Sequence, residues 1–306
     1  MLLSLKIRER NKLATLFIPL VLSSTTLAFM SSPNHTKSKR NLSSLKMASE
    51  HTPPKKIVVI GGGIQGASVA YHLVNSLHFP SDGKVTLLES QKLASAASGK
   101  GGGFMARSWG DGSVTQILHE MAFDMYEELS SALPLTTYRK LPVLSVSPGK
   151  GGLMRPSADV AKSLPKWLDG NVGPIRMMGY GDDTAQVTPQ EVVEKFVASS
   201  GDKLTVCIGT ATGIEMNNDN QVTGVRYSTS SDGSGEQVLE CDAVVVSAGP
   251  WSCIAEDWFN GIVSLPMEGV KSTSIVWSPP ESNEVVDATA LFCGEDHRFG
   301  THCKSL

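Results

Sequence analysis

Three glycines, Gly61, Gly63 and Gly66, stand at the spacing G-x-G-x-x-G, and an acidic residue, Glu89, follows about 20 residues on. Residue types in this pattern hold phosphate and sugar. Gly61 permits a tight turn. Gly63 has no Cβ, so a phosphate can approach the main chain, and Gly66 lets a helix pack close to a strand. A helix opening at Ile64 and Gln65 offers free N–H groups and the positive end of its dipole to an anion. Glu89, with Ser90 beside it, is placed to accept hydrogen bonds from ribose hydroxyls. Its negative charge argues against a 2′-phosphate, and so against NADP.

Flanking elements must hold these groups in place. Ile57 to Ile60 form a short β-branched run, which suits a strand covered on both faces. Val85 to Leu88 form a second strand that ends at Glu89. A glycine triplet alone is common. With a strand before it, a helix after it and the acidic residue at the right distance, it specifies a dinucleotide-binding unit.

The bulk numbers exclude other classes. The chain has 306 residues, a net charge of −3 and an ordinary globular composition. No basic excess favours nucleic acid. The five cysteines make neither a CxxC nor a metal spacing, and they read as reduced or buried thiols. No metal site is expected.

The first 50 residues differ from the rest. Lys6, Arg8, Arg10 and Lys12 precede an apolar run from Leu13 to Phe29, interrupted by Pro19 and Ser23–Thr26. That pattern is a signal-peptide core and not a membrane span, so no span is expected in the mature protein. Asn11 to Ser49 contains no acidic residue and is rich in Ser and Thr, which is transit-peptide chemistry. Two readings stay open. Residues 1–50 are a targeting leader toward the secretory route or a plastid, or they are a disordered extension and translation begins at Met47, leaving a cytoplasmic protein.

Glu89 leads directly into a loop with almost no side-chain bulk, Ala94 to Gly103, ending in Phe104 and Met105, which are expected to be buried. Small residues here let the main chain approach a large flat ligand. A helix is expected over 113–131, with Ile117, Leu118, Met121, Met125 and Leu129 at helical spacing, then a strand over Leu141–Val146. Residues 148–185 are rich in Gly and Pro, with one short helix near 158–168. Thr188-Pro189-Gln190-Glu191 is a helix start of the capping type. Strands follow at 204–208, 214–216, 222–227 and 237–239, and Asn217–Asn220 forms a hairpin turn. Ala243 to Val246 is expected to be a buried strand, ended by Ser247-Ala248-Gly249.

The dinucleotide unit is therefore discontinuous. A simple nicotinamide dehydrogenase continues its βαβ units immediately after Glu89, and this chain does not, which favours a flavin over NAD.

Together GGGIQGASVAYHL, ESQKLASAASGKGGGFMAR, TAQVTPQEVVEKF and VVVSAGPWS resemble FAD-dependent oxidoreductases of the D-amino-acid oxidase, glycine oxidase and sarcosine oxidase superfamily, over about residues 55–300. The resemblance implies an α/β fold. A Rossmann-like, glutathione-reductase-type FAD domain (55–110 and 186–255) is interleaved with an incomplete α+β substrate domain (111–185 and 256–306). It further implies that Gly61, Gly63 and Gly66 hold the FAD pyrophosphate and Glu89 the adenosine ribose. Ser98, Gly99, Lys100, Gly101 and Gly102 would lie along the flavin, Ala211 would meet the adenine through its main chain, and Gly249 would close over the phosphates. Arg107 and Trp109 are candidates for the substrate side. The implied reaction oxidises a C–N bond of a small amine or amino acid by hydride transfer to flavin N5, with no protein nucleophile and no catalytic residue assigned.

Members of that superfamily continue into a C-terminal segment that grips the flavin and supplies an Arg for a substrate carboxylate. The expectation is that this chain lacks it and binds FAD poorly. A non-catalytic remnant of the nucleotide fold and, less favoured, an NAD-dependent dehydrogenase stay open as alternatives.

Overall fold

The computed structural model describes residues 2–9, 12–19, 53–148, 164–165, 172–230, 235–259, 262–275 and 287–293. Strands β1 (Leu2–Glu9) and β2 (Lys12–Pro19) pair with each other and share no strand with the other sheets. The site is built on the elements that follow. These are β3 (Lys56–Ile60), α1 (Ile64–Val74), β4 (Lys84–Glu89), β5 (Phe104–Ala106), α2 (Gln116–Ala132), β6 (Arg139–Lys140), β7 (Val143–Pro148), β8 (Val172–Gly179), β9 (Thr184–Gln186), α3 (Pro189–Ala198), β10 (Leu204–Ile208), β11 (Thr210–Met216), β12 (Val222–Ser228), β13 (Gln237–Glu240), β14 (Ala243–Val246), α4 (Ala255–Trp258) and β15 (Ala290–Cys293).

A four-stranded parallel sheet in the order β10-β4-β3-β14 is the centre of the molecule. Its two central strands, β3 and β4, are largely apolar because both of their faces are covered. Ile57, Val59, Val85 and Leu87 point to the side of α1, where they pack on Ala70 and Val74. Val58, Ile60 and Leu88 point the other way, onto Val225 and Tyr227 of β12 in the antiparallel sheet β11-β12-β13. The period of two along β3 thus separates two cores. Each fully buried Val or Leu contributes about 1.5–3 kcal/mol. On α1, Ala67 meets Val192, Val193 and Phe196 of α3. Asp242 ties the edge of the sheet: its Oδ2 accepts the amide N–H of Lys55 and of Lys56, both at 2.8 Å, and these bonds hold its pKa below the ordinary carboxylate value.

Two smaller sheets lie downstream of the glycine turn, β5-β9-β6 and β15-β7-β8. The Gly- and Pro-rich region contributes β8 and the start of β9 to them. The short helix expected near 158–168 falls almost wholly outside the described residues.

Three expectations need correction, and one feature adds to the reading of α2. β14 is half-buried along its whole length, because it is an edge strand that pairs only with β3. Phe104 and Met105 are half-buried too. Helix α2 begins at Gln116 and not Ser113, since the Ser113 hydroxyl donates to Gly110 O at 2.6 Å and makes a turn first. The apolar stripe of α2, Ile117, Leu118, Met121 and Met125, faces outward, while Phe123 is the residue that is buried.

Candidate FAD-binding site

The glycine turn lies where β3 ends. Gly61 has φ +107, and a Cβ there would come 2.4 Å from Ser247 O. Its N–H donates to Leu88 O at 2.8 Å, while Ser247 N–H donates to Ile60 O at 2.8 Å, so the turn is laced to both neighbouring strands. A Cβ on Gly66 would meet Gly61 O at 1.9 Å. Gly61 and Gly66 are therefore required by backbone packing. Gly63 differs: it has an ordinary φ of −80, and its Cβ would face the Ser98 hydroxyl at 3.0 Å.

Ser98 Oγ accepts the N–H of Ile64 at 2.9 Å. The next two N–H groups, of Gln65 and Gly66, have no acceptor among the described residues. Gln65 is exposed and Ile64 half-buried. An open glycine surface with unmet donors at a helix start is a place for an anion.

Glu89 is buried. Its Oε2 accepts the N–H of Gly62 at 2.8 Å, and its Oε1 accepts the N–H of Gln91 at 3.0 Å and the hydroxyl of Ser90 at 3.1 Å. Desolvation of a carboxylate is met here by hydrogen bonds alone. With one such bond, Oε2 retains acceptor capacity for a sugar hydroxyl.

The small-residue loop crosses the same opening. Ala94, at φ +55, donates its N–H to Gly62 O at 3.0 Å. A Cβ on Gly99 would meet Ala94 O at 2.0 Å, and one on Gly103 (φ +65) would meet Val187 O at 1.7 Å. Lys100, Gly101 and Gly102 are exposed, and nothing lies within 4 Å of a Cβ built on Gly102. Gly209 N–H donates to Glu89 O at 2.8 Å, which sets the start of β11, and with it half-buried Ala211, beside the end of β4. Gly249 (φ +58) opens a 3-10 turn two residues beyond Ser247.

Of the residues singled out from sequence, Gly61, Gly63, Ile64, Gln65, Gly66, Glu89, Ser90 and Ser98 form one cluster. Gly99 to Gly102 continue from it along the loop, and Gly249 and Ala211 join it through Ser247 and Gly209. Gly62 is a participant that was not foreseen; a glycine between two motif glycines carried no signal of its own. Outside the cluster, Glu191, which the capping pattern assigned to its own helix, is also differently engaged. Thr188 is the N-cap residue of α3 but its side chain makes no capping bond. The Glu191 carboxylate reaches instead to Thr136 and Thr137, taking the Thr136 N–H at 2.7 Å, the Thr137 N–H at 2.9 Å and both hydroxyls. Partial desolvation pushes its pKa up, but these four bonds together outweigh it and hold the value at about 2.

Arg107 is already engaged. Its guanidinium is held by Asp124 at 3.0 and 3.2 Å, a hydrogen-bonded ion pair that raises the pKa of Arg107 and lowers that of Asp124. Trp109 is 39% exposed and packs with Phe104 and Phe292 at ring-centroid distances of 5.0 Å each, while Phe104 and Phe292 lie 5.3 Å apart. Among the described residues no group of three His, Cys, Asp or Glu side chains could hold a metal ion, and no helix is long and apolar enough to cross a membrane.

Residues 56–303 match the family model described as FAD dependent oxidoreductase. The chain belongs to the FAD-dependent oxidoreductase family. FAD is the cofactor of that family, and the glycine cradle, the unmet helix N–H groups and the acceptor capacity of Glu89 fit its pyrophosphate and ribose. A Schizosaccharomyces pombe protein, provisionally named an oxidoreductase, is 27% identical over 217 residues, 65% of this chain and 55% of its own length. Solved structures of like fold are glycine oxidase from Bacillus cereus (TM-score 0.53, 19% identity, 68% of this chain and 58% of that one) and L-amino acid deaminase from Proteus vulgaris (0.51, 19%, 71% and 53%). L-proline dehydrogenase from P. horikoshii is similar (0.52, 15%, 69% and 57%). At such identities the likeness is one of fold. The chain spans little more than half the length of these proteins.

Proposed function

We propose that the protein oxidises the C–N bond of a small amine or amino acid. The observation that carries this reading is the meeting of the small-residue loop with the helix start, Ser98 Oγ to Ile64 N at 2.9 Å. It places a stretch of almost bare main chain beside the dinucleotide cradle, which a nicotinamide site does not need and a broad flat ring does. The names of the three structural neighbours, all enzymes of amino-acid chemistry, support the substrate class.

Bound FAD supplies the hydride acceptor. The chain's own residues bind and orient. Gly61, Gly63, Gly66 and the N–H of Gln65 would receive the pyrophosphate, Glu89 the ribose, and the main chain of Ala211 the adenine, while Gly249 would close over the phosphates. Ser98 to Gly102 would face the ring. Phe104, Trp109 and Phe292 make an apolar surface beside the end of the loop that excludes water and accepts the carbon skeleton of a substrate. Arg107, already paired with Asp124, would have to leave that partner to meet a substrate carboxylate. No side-chain nucleophile is needed.

The test is to express residues 47–306, desalt, and record the visible spectrum with and without added FAD, against NAD as control. Saturable FAD uptake with a flavin spectrum is expected, even if the affinity is low. A colourless protein indifferent to FAD refutes the reading, and oxidation of an amine panel by a longer relative containing this region checks the reaction.

A further inference from the structure

Gln186 is the last residue of β9, the middle strand of the sheet β5-β9-β6, and stands opposite both Phe104 and Arg139. Its side chain connects two things. Arg139 donates to Gln186 Oε1 from Nε at 3.1 Å and from Nη2 at 2.7 Å. Gln186 Nε2 donates to the carbonyl of Gly102 at 2.9 Å. A guanidinium can only donate, so the amide oxygen must face Arg139 and the amide nitrogen must face the loop.

The loop is thus tied down at both ends and left open in the middle. Ala94 N–H to Gly62 O and Ile64 N–H to Ser98 Oγ hold one arm. Val187 N–H to Gly103 O at 3.1 Å holds the other, and Pro189 lies 3.0 Å from a Cβ on Gly103. Main-chain pairing of β5 with β9 covers only Phe104 to Ala106. The Gln186 side chain carries the tie one residue further out, to Gly102. Beyond it, the N–H groups of Gly101 and Gly102 have no acceptor among the described residues, and the space over Gly102 is empty. A glycine segment with open φ and ψ keeps such donors aligned only if something holds its carbonyls.

We propose that Gln186, oriented by Arg139, is a positioning residue that fixes Gly101 and Gly102 so that their N–H groups present to the acceptor atoms of the FAD ring. This rests on the proposed function, in which the ring lies over that loop. Gln186 touches neither substrate nor reacting atoms; it acts through the Gly102 carbonyl.

Two variants test it. Gln186→Glu keeps the contact with Arg139, now as an ion pair, but replaces the donor facing Gly102 O with a second acceptor. Arg139→Gln leaves the amide in place and removes what orients it. Three quantities are measured on each: FAD affinity by fluorescence titration with the absorption band of the bound flavin, the rate of tryptic cleavage after exposed Lys100, and the melting temperature. For Gln186→Glu, FAD binds about tenfold more weakly, Lys100 is cut about tenfold faster, and the flavin band shifts, at the wild-type melting temperature. Arg139→Gln gives the same changes in smaller measure. Wild-type affinity, spectrum and cleavage in both variants overturn the inference. So does weakened FAD binding that appears only together with a lowered melting temperature. A wild-type chain that takes up no FAD refutes the proposed function, and this inference falls with it; wild-type uptake with unchanged variants refutes the inference alone.

Discussion

The hydroxyl of Ser98 lies 2.9 Å from the amide nitrogen of Ile64, joining two segments 34 residues apart at the opening of α1. A helix start has four N–H groups without helical partners. Here the first is met by a loop side chain and the next two are left open, so the loop and the anion cradle share one rim.

Replacing Ser98 with Ala removes that link without removing any buried apolar surface. The expected result is a loss of about 1 kcal/mol in stability and a FAD affinity lowered about three- to tenfold, read by thermal melting and by fluorescence titration. Unchanged affinity would count against the shared rim.

Gly66 and Gly63 should separate folding from binding. In Gly66→Ala the new methyl meets Gly61 O, and the helix must move off the sheet; a loss of about 3 kcal/mol or no soluble protein is expected. Gly63→Ala keeps an allowed backbone and displaces only the Ser98 hydroxyl, so it should melt within about 1 kcal/mol of wild type yet bind FAD at least about tenfold more weakly. Equal damage to stability from the two changes would contradict this.

Glu191 links the start of α3 to Thr136 and Thr137. Its folded pKa of about 2 lies below the ordinary 4.5, so its contribution is present above about pH 4.5 and is lost as pH falls toward 2. Glu191→Gln should cost about 1–2 kcal/mol at neutral pH. The gap between wild type and variant, followed by denaturant titration across that range, should close on acidification. A gap constant with pH would mean the bonds do not depend on the charge.

Cys241 is buried, and burial, with neighbouring Asp242, pushes its thiol up to about 11 against two backbone bonds that lower it. At neutral pH it should react with iodoacetamide about 100-fold more slowly than a free thiol. Mass spectrometry of the native protein should find the half-buried Cys207, Cys253 and Cys293 modified before Cys241. Early labelling of Cys241 would show that the β3–β14 edge opens.

Much of the site was readable along the chain. Strand, turn and helix from Lys56 to Val74 obey local rules: β-branched residues on a two-sided strand, glycines where a Cβ cannot fit, a helix that begins where its first amides are unmet. The placement of Glu89 followed from the same unit, and the interruption after it pointed to a flavin. The capping pattern at Thr188 located α3 correctly but misassigned the partner of Glu191, because a carboxylate takes the nearest unmet donors and a neighbouring loop supplied four.

What the linear order alone determined was the nucleotide fold and its glycine rim, since both depend on backbone conformations that each residue type permits or forbids over a few positions. The tertiary structure decided which groups remain available. It engaged Glu89 with Gly62 and paired Arg107 with Asp124. It also left β14 on an edge and set Gln186 between Arg139 and Gly102. These outcomes rest on hydrogen bonds and packing between segments far apart in the chain. Such contacts form only when the sheets and helices have closed on one another, and no local spacing encodes them.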